Sequence, residues 1–152
     1  MSGNLRVLDP FARTEGSTSH TALPADIPSG VKDTAELLAP ALLDLVAFPQ
    51  EPGFEHRATL LGLAHAARRG GVGVVGLMPN VRPVADHDGV VRTLRDGARP
   101  AETGVRFIVH GALSVDLRHE SIAPMGELKE AGVRMVTDGG IPVHNSRSLR
   151  RA

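Results

Sequence analysis

Residues 44–80 read DLVAFPQEPGFEHRATLLGLAHAARRGGVGVVGLMPN, and this stretch decides the fold. Its left end belongs to an apolar run, Leu42 to Phe48, of the kind expected for a strand buried on both faces. Arg57 to Arg69 follows, with Leu60, Leu63, Ala64 and Ala67 at helical spacing, which predicts a helix with one apolar face. Gly70-Gly71 stops that helix. Val72 to Met78 reads as a second buried strand. Strand, helix, strand in this order implies parallel strands joined by a crossover.

The alternation continues downstream. Asp86 to Gly97 predicts a helix presenting Val90, Val91 and Leu94, and Val105 to Val109 a third strand. Pro124 to Ala131 predicts a helix with proline near its first turn, closed by Gly132. Val133 to Thr137 follows as a fourth strand, and Ser146 to Ala152 as a further helix. The expected class is α/β, a partial (β/α)8 TIM-type barrel of about four βα units. A full barrel takes about 250 residues. The 152 residues here therefore read as a half-barrel or an amino-terminal fragment. An open half-barrel would expose the edges of its first and fourth strands, which favours self-association. Residues 1–36 lack periodicity and are rich in turn formers, apart from a possible short strand at Leu5 to Leu8. The expected division is a loose segment over 1–36 and a half-barrel domain over 37–152.

Composition narrows the function. The 17 basic and 17 acidic residues cancel, so nothing favours nucleic acid or an anionic membrane as partner. There is no cysteine, which excludes disulfides, thiolate catalysis and cysteine-based zinc sites. No segment approaches the roughly 20 apolar residues of a membrane span, and the amino terminus has no apolar signal core, so a cytoplasmic setting is expected. Aromatic residues make up 3%, too few for base stacking.

Gly71-x-Gly73-x-x-Gly76 has the spacing of a dinucleotide fingerprint, but that chemistry needs the glycines after a strand and at the start of a helix. Here a helix precedes them and a strand runs through them, so they read as a helix stop followed by a tightly packed strand. Asn80 falls at the carboxyl end of the second strand, on the rim where barrel enzymes place their active sites, and its two-sided amide could bind substrate. It could equally form a turn. Thr137-Asp138-Gly139-Gly140 ends the fourth strand, with Asp138 either a ligand or a turn former. The seven histidines form neither His-x-His nor His-x-x-x-His, and only His110, at the exit of strand three, stands on the correct rim.

Taken in order, Asp44, Glu51-Pro52-Gly53, Met78-Pro79-Asn80, Gly126 to Gly132 and Thr137-Asp138-Gly139 resemble the dihydroorotase branch of the metal-dependent amidohydrolases, over residues 37–152. That resemblance implies zinc and the reversible cyclisation of N-carbamoyl-aspartate to dihydroorotate in pyrimidine biosynthesis. It also implies an Asp-x-His-x-His-Leu-Arg-Glu-Pro-Gly frame on strand one. In that frame Val46 and Phe48 stand at the two histidine positions and Gln50 at the arginine position. The resemblance gives Asn80 a substrate contact and makes Asp138 the one surviving candidate metal ligand. The remaining ligands of the family would lie beyond Ala152. The expectation is a chain with no cofactor of its own and no activity alone. It would act as a scaffold partner of aspartate carbamoyltransferase, or as an amidohydrolase half completed by another chain.

Overall fold

Apolar residues at helical spacing, Leu60 and Ala64 in one helix and Val90, Val91 and Leu94 in another, bury one stripe of each, and that stripe needs a sheet to lie on. The computed structural model describes residues 6–7, 37–38, 40–142 and 150. The chain divides into two units, Met1–Pro40 and Ala41–Ala152. In the first, β1 (Arg6–Val7) pairs in parallel with β2 (Leu37–Leu38). The remainder of the expected 1–36 segment, and the helix expected over 146–152 apart from Arg150, lie outside the described residues.

The second unit is mixed α/β. A three-stranded parallel sheet runs β3 (Leu42–Ala47), β4 (Val72–Leu77), β5 (Arg106–Val109), in that spatial order. Helix α1 (Leu60–Arg69) links β3 to β4, and α2 (Asp88–Asp96) and α3 (Pro100–Thr103) link β4 to β5. Helix α4 (Met125–Glu130) follows. Among the described residues no helix is long and apolar enough to cross a membrane.

Local chemistry sets the boundaries. Thr59, in extended conformation, accepts a hydrogen bond from Gly62 N at 3.0 Å and so caps α1. The helix therefore begins three residues later than the apolar spacing alone predicts. Helix α2 starts at Asp88 because His87 before it is extended. The core gathers Val75 and Leu77 of β4, Phe107 and Val109 of β5, Leu60 and Ala64 of α1, and Val90, Val91 and Leu94 of α2. Leu77 and Leu94 are fully buried, each worth roughly 1.5–3 kcal/mol of transfer free energy.

Two expectations are corrected. Strand β3 is not buried on both faces: Leu42, Leu43, Leu45, Val46 and Phe48 are each more than half exposed. It forms the edge of the sheet, and only Ala47 packs against the core. Val133 to Thr137 does not form a full strand. It meets the sheet in a single parallel bridge, Gly111 to Val136, with Gly111 N donating to Met135 O (3.0 Å) and Thr137 N to Gly111 O (2.9 Å). The reason is position: the segment reaches its neighbour after β5 has ended at Val109, so it pairs at one residue only.

Candidate functional site

The carboxyl ends of parallel strands all open on one rim, and the loops that leave them carry the polar side chains. Two of those loops interlock. The Glu51-Pro52-Gly53 turn after β3 presses on the Met78–Pro83 loop after β4, where Pro52 O accepts the Arg82 N–H at 3.1 Å. A Cβ at Gly53 would lie 2.7 Å from Arg82 Cβ and 2.8 Å from Arg82 O, so only glycine permits the approach. Glu51 reaches the other way and accepts Leu60 N at 2.6 Å, fixing the start of α1. Gly53 N donates to Glu55 Oε1 at 2.8 Å, and this bond holds the exposed Glu55 carboxyl below its ordinary range.

Asn80 is held against the next loop. Its Nδ2 donates to Gly139 O at 3.4 Å, while its Oδ1 is buried with no hydrogen-bond partner among the described residues. Its amide lies directly on Gly139, where a Cβ would collide with Oδ1, Cγ and Nδ2 at once. Gly139 also has φ +65°, a conformation unfavourable for a side chain. Gly139→Ala is expected to push the Asn80 amide aside and to destabilise the unit by about 1–3 kcal/mol. A 1H–15N spectrum would read the displacement as a shift of the Asn80 side-chain amide signals. Unmoved signals would show that Gly139 does not set its position.

Asp138 lies one residue away and is fully buried. Its Oδ1 accepts Leu113 N and Ser114 N, both at 2.9 Å, and its Oδ2 accepts the Ser114 hydroxyl at 2.7 Å. His119 Nδ1 stands 3.3 Å from Oδ2, within ion-pair distance but off the hydrogen-bonding line, and neither ring nitrogen of His119 has a hydrogen-bond partner among the described residues. Ser114, His119 and Asp138 are the residue types of a hydrolytic triad without its geometry. The hydroxyl donates to the carboxylate instead of to the imidazole, and Ser114 is 2% exposed.

His110 is a structural tie. Its Nε2–H donates to Leu45 O at 2.9 Å, across Gly76 of the intervening strand, and its Nδ1 is buried without a partner among the described residues. Sequence reasoning placed His110 on the rim correctly but gave no sign of this backbone partner 65 residues away.

Zinc does not fit this donor set. Val46 and Phe48 offer only carbon, Asp138 is engaged by three donors, and His110 Nε2 is engaged by Leu45. Among the described residues no group of three or more His, Cys, Asp or Glu side chains converges. A cleft of about 410 Å³ does form between the loops after β4 and β5. Phe54, Asn80, Arg82, Asp116, Arg118 and Ile141 line it. Nothing in the sequence pattern pointed to Asp116 or Arg118. Arg82 carried one signal, its place two residues after Asn80 in the same loop.

The loop that carries Asp116 and Arg118 is backbone-strained. Asp116, Leu117 and His119 have φ of 53°, 59° and 62°, conformations that cost of order 1–3 kcal/mol each outside glycine. Asp86 Oδ2 accepts Asp116 N (2.9 Å), Ser114 Oγ accepts His119 N (3.0 Å) and Val115 N donates to Ser121 O (3.0 Å), and these bonds hold the loop in place.

Residues 35–150 match the family described as dihydro-orotase-like. A dihydroorotase of Desulforapulum autotrophicum is 41% identical over 119 residues, covering 78% of this chain and 28% of that protein. One of Geotalea daltonii is 38% identical over 130 residues, covering 85% and 30%. One of Chlorobaculum tepidum is 34% identical over 151 residues, covering 99% and 34%. The chain thus spans about a third or less of the length of the curated relatives it matches. On the family match and these identities, the chain belongs to the dihydro-orotase-like family.

Proposed function

We propose that this chain is a partial (β/α)8 unit of dihydroorotase type that is non-catalytic by itself and acts through binding and protein contacts. One observation carries the reading. At the two strand-one positions where the family presents imidazoles stand Val46 and Phe48, and the one family ligand position retained, Asp138, is engaged by Leu113 N, Ser114 N and Ser114 Oγ. Hydrolysis or closure of a cyclic amide at neutral pH needs a strong electrophile and an activated water, which zinc supplies when bound. The frame of loops and strands persists while the donors are absent. That combination favours a role in pyrimidine biosynthesis exercised through a partner.

The surface supports a protein partner. Edge strand β3 presents Leu43, Leu45 and Val46 to solvent, and Phe48 after it is also exposed, with no neighbouring strand on the outer side of β3 among the described residues. An uncovered apolar edge of this kind captures another chain. Aspartate carbamoyltransferase and a second copy of this chain are the two partners that the family reading suggests.

The test is a zinc titration of the purified chain by calorimetry, run beside an assay for interconversion of N-carbamoyl-aspartate and dihydroorotate. No stoichiometric binding tighter than about 10 μM is expected, and no turnover above background. The same preparation passed over immobilised aspartate carbamoyltransferase reads the partner arm. Tight 1:1 zinc binding with turnover would overturn the non-catalytic reading.

A further inference from the structure

The helices cover one face of the β3-β4-β5 sheet. Val75 and Leu77 of β4, in register with Phe107 and Val109 of β5, lie in the core against them. Side chains alternate along a strand, so Val74 and Ile108 point the other way, and each is only half-buried and lies outside that core. A parallel sheet is ordinarily covered on both faces, and among the described residues no helix covers this one.

The apolar exposure grows toward the two edges. At one edge Leu42, Leu43, Leu45 and Val46 of β3, with Phe48 after it, are 52–63% exposed. At the other, Met135 is 48% exposed although its neighbour Val136, bridged to Gly111, packs on the core. These six side chains leave on the order of 600 Å² open per copy, most of the roughly 800 Å² that each partner gives to a standard interface. The edges also differ in charge. Asp44 is the one charged residue of β3, and Arg134 stands beside Met135. Both are exposed, and neither meets an opposite charge among the described residues.

We propose that the partner of the β3 edge is a second copy of this chain, with β3 of each copy laid in parallel against Val133–Thr137 of the other. The two sheets then close around their uncovered faces. Each copy brings three strands and this segment, and two copies make the eight parallel positions of a closed barrel. Asp44 of one copy faces Arg134 of the other on both seams. Pairing β3 with β3 is disfavoured, because it sets two Asp44 carboxylates against each other near mid-strand and leaves the bare face open. Unlike edges joined about a two-fold axis close on themselves, so assembly stops at the dimer. The proposal rests on the reading of β3 as a protein-contact edge. Capture of aspartate carbamoyltransferase by a monomeric chain would keep that reading and sink the dimer. Zinc-dependent turnover by a dimer would sink the non-catalytic reading and keep the dimer.

Sedimentation of the full chain from about 1 to 100 μM, where interfaces of this size begin to associate, is expected to show monomer and dimer with no larger species. Asp44→Arg and Arg134→Asp should each weaken the dimer about tenfold or more, and the two together should restore it to within about threefold. Met135→Glu, at an exposed side chain, should also split the dimer while the circular dichroism stays that of the parent. A monomer throughout, an open series of larger species, or a double charge variant no better than the single ones overturns the proposal. The last is the outcome for a dimer joined β3 to β3, where Arg134 has no part.

Discussion

Asp138→Ala is expected to destabilise the Ala41–Ala152 unit by about 3–5 kcal/mol, enough to leave much of it unfolded at 37 °C, since domains carry only about 5–15 kcal/mol. The carboxylate has no exposed surface and accepts from two backbone N–H groups and one hydroxyl. Alanine would leave all three donors without their acceptor in a space closed to water. It would also release the segment after Val136 from the loop after β5, which Asp138 joins across a separation of 24 to 25 residues. Asp138→Asn should be milder, about 1–2 kcal/mol, because the amide oxygen can keep Leu113 N and Ser114 N while the amide nitrogen meets the Ser114 hydroxyl, which can turn to accept. Urea unfolding of the three proteins gives the order. If Asp138→Ala unfolds at the parent midpoint, the carboxylate is not the clasp its hydrogen bonds indicate.

Much of the fold was legible because its signals are local. The Gly70-Gly71 stop, the spacing of Leu60, Leu63, Ala64 and Ala67, and the runs at Val72 and Val105 each announce an element within a dozen residues, and those elements form in that order. The exposure of β3 was not legible: Leu42 to Phe48 states what the side chains prefer and is silent on what lies against them. The roles of the candidate residues were not legible. Asn80 and His110 were read at strand ends and lie in the loops after β4 and β5, and Asp138 lies after the Val136 bridge, yet their partners are Gly139 O, Leu45 O and the backbone of Leu113 and Ser114, all distant in sequence and mostly main chain. Main-chain partners leave no trace in residue type. The left-handed turn at Asp116 to His119 was hidden for a related reason: no glycine marks it, and the acceptors that hold it, Asp86 and Ser114, give no hint of it in sequence.

Gly76→Ala is expected to loosen the sheet by about 3 kcal/mol, lowering Tm by roughly 10 °C or more. Gly76 belongs to the Gly71-x-Gly73-x-x-Gly76 run, which serves packing here: a Cβ at Gly73 would lie 2.7 Å from Ala41 Cβ, and one at Gly76 would lie 2.5 Å from Leu45 O and 2.8 Å from His110 Nε2. The His110–Leu45 bond passes over Gly76, so a methyl group there opposes the bond that ties β5 to β3. Two strain sources can be separated. In the Gly76→Ala background, His110→Ala removes the imidazole contact but not the contact with the Leu45 carbonyl, which is backbone of the neighbouring strand. The double variant should therefore recover little of the lost stability, and the coupling between the sites should stay under about 1 kcal/mol. A full recovery would place the strain on the imidazole alone and would mean that β3 can retreat from β4 without loss. Hydrogen exchange would distinguish the outcomes, because a displaced β3 exposes the Met78 amide, now bonded to Ala47 O at 2.8 Å, ahead of the amides that join β4 to β5.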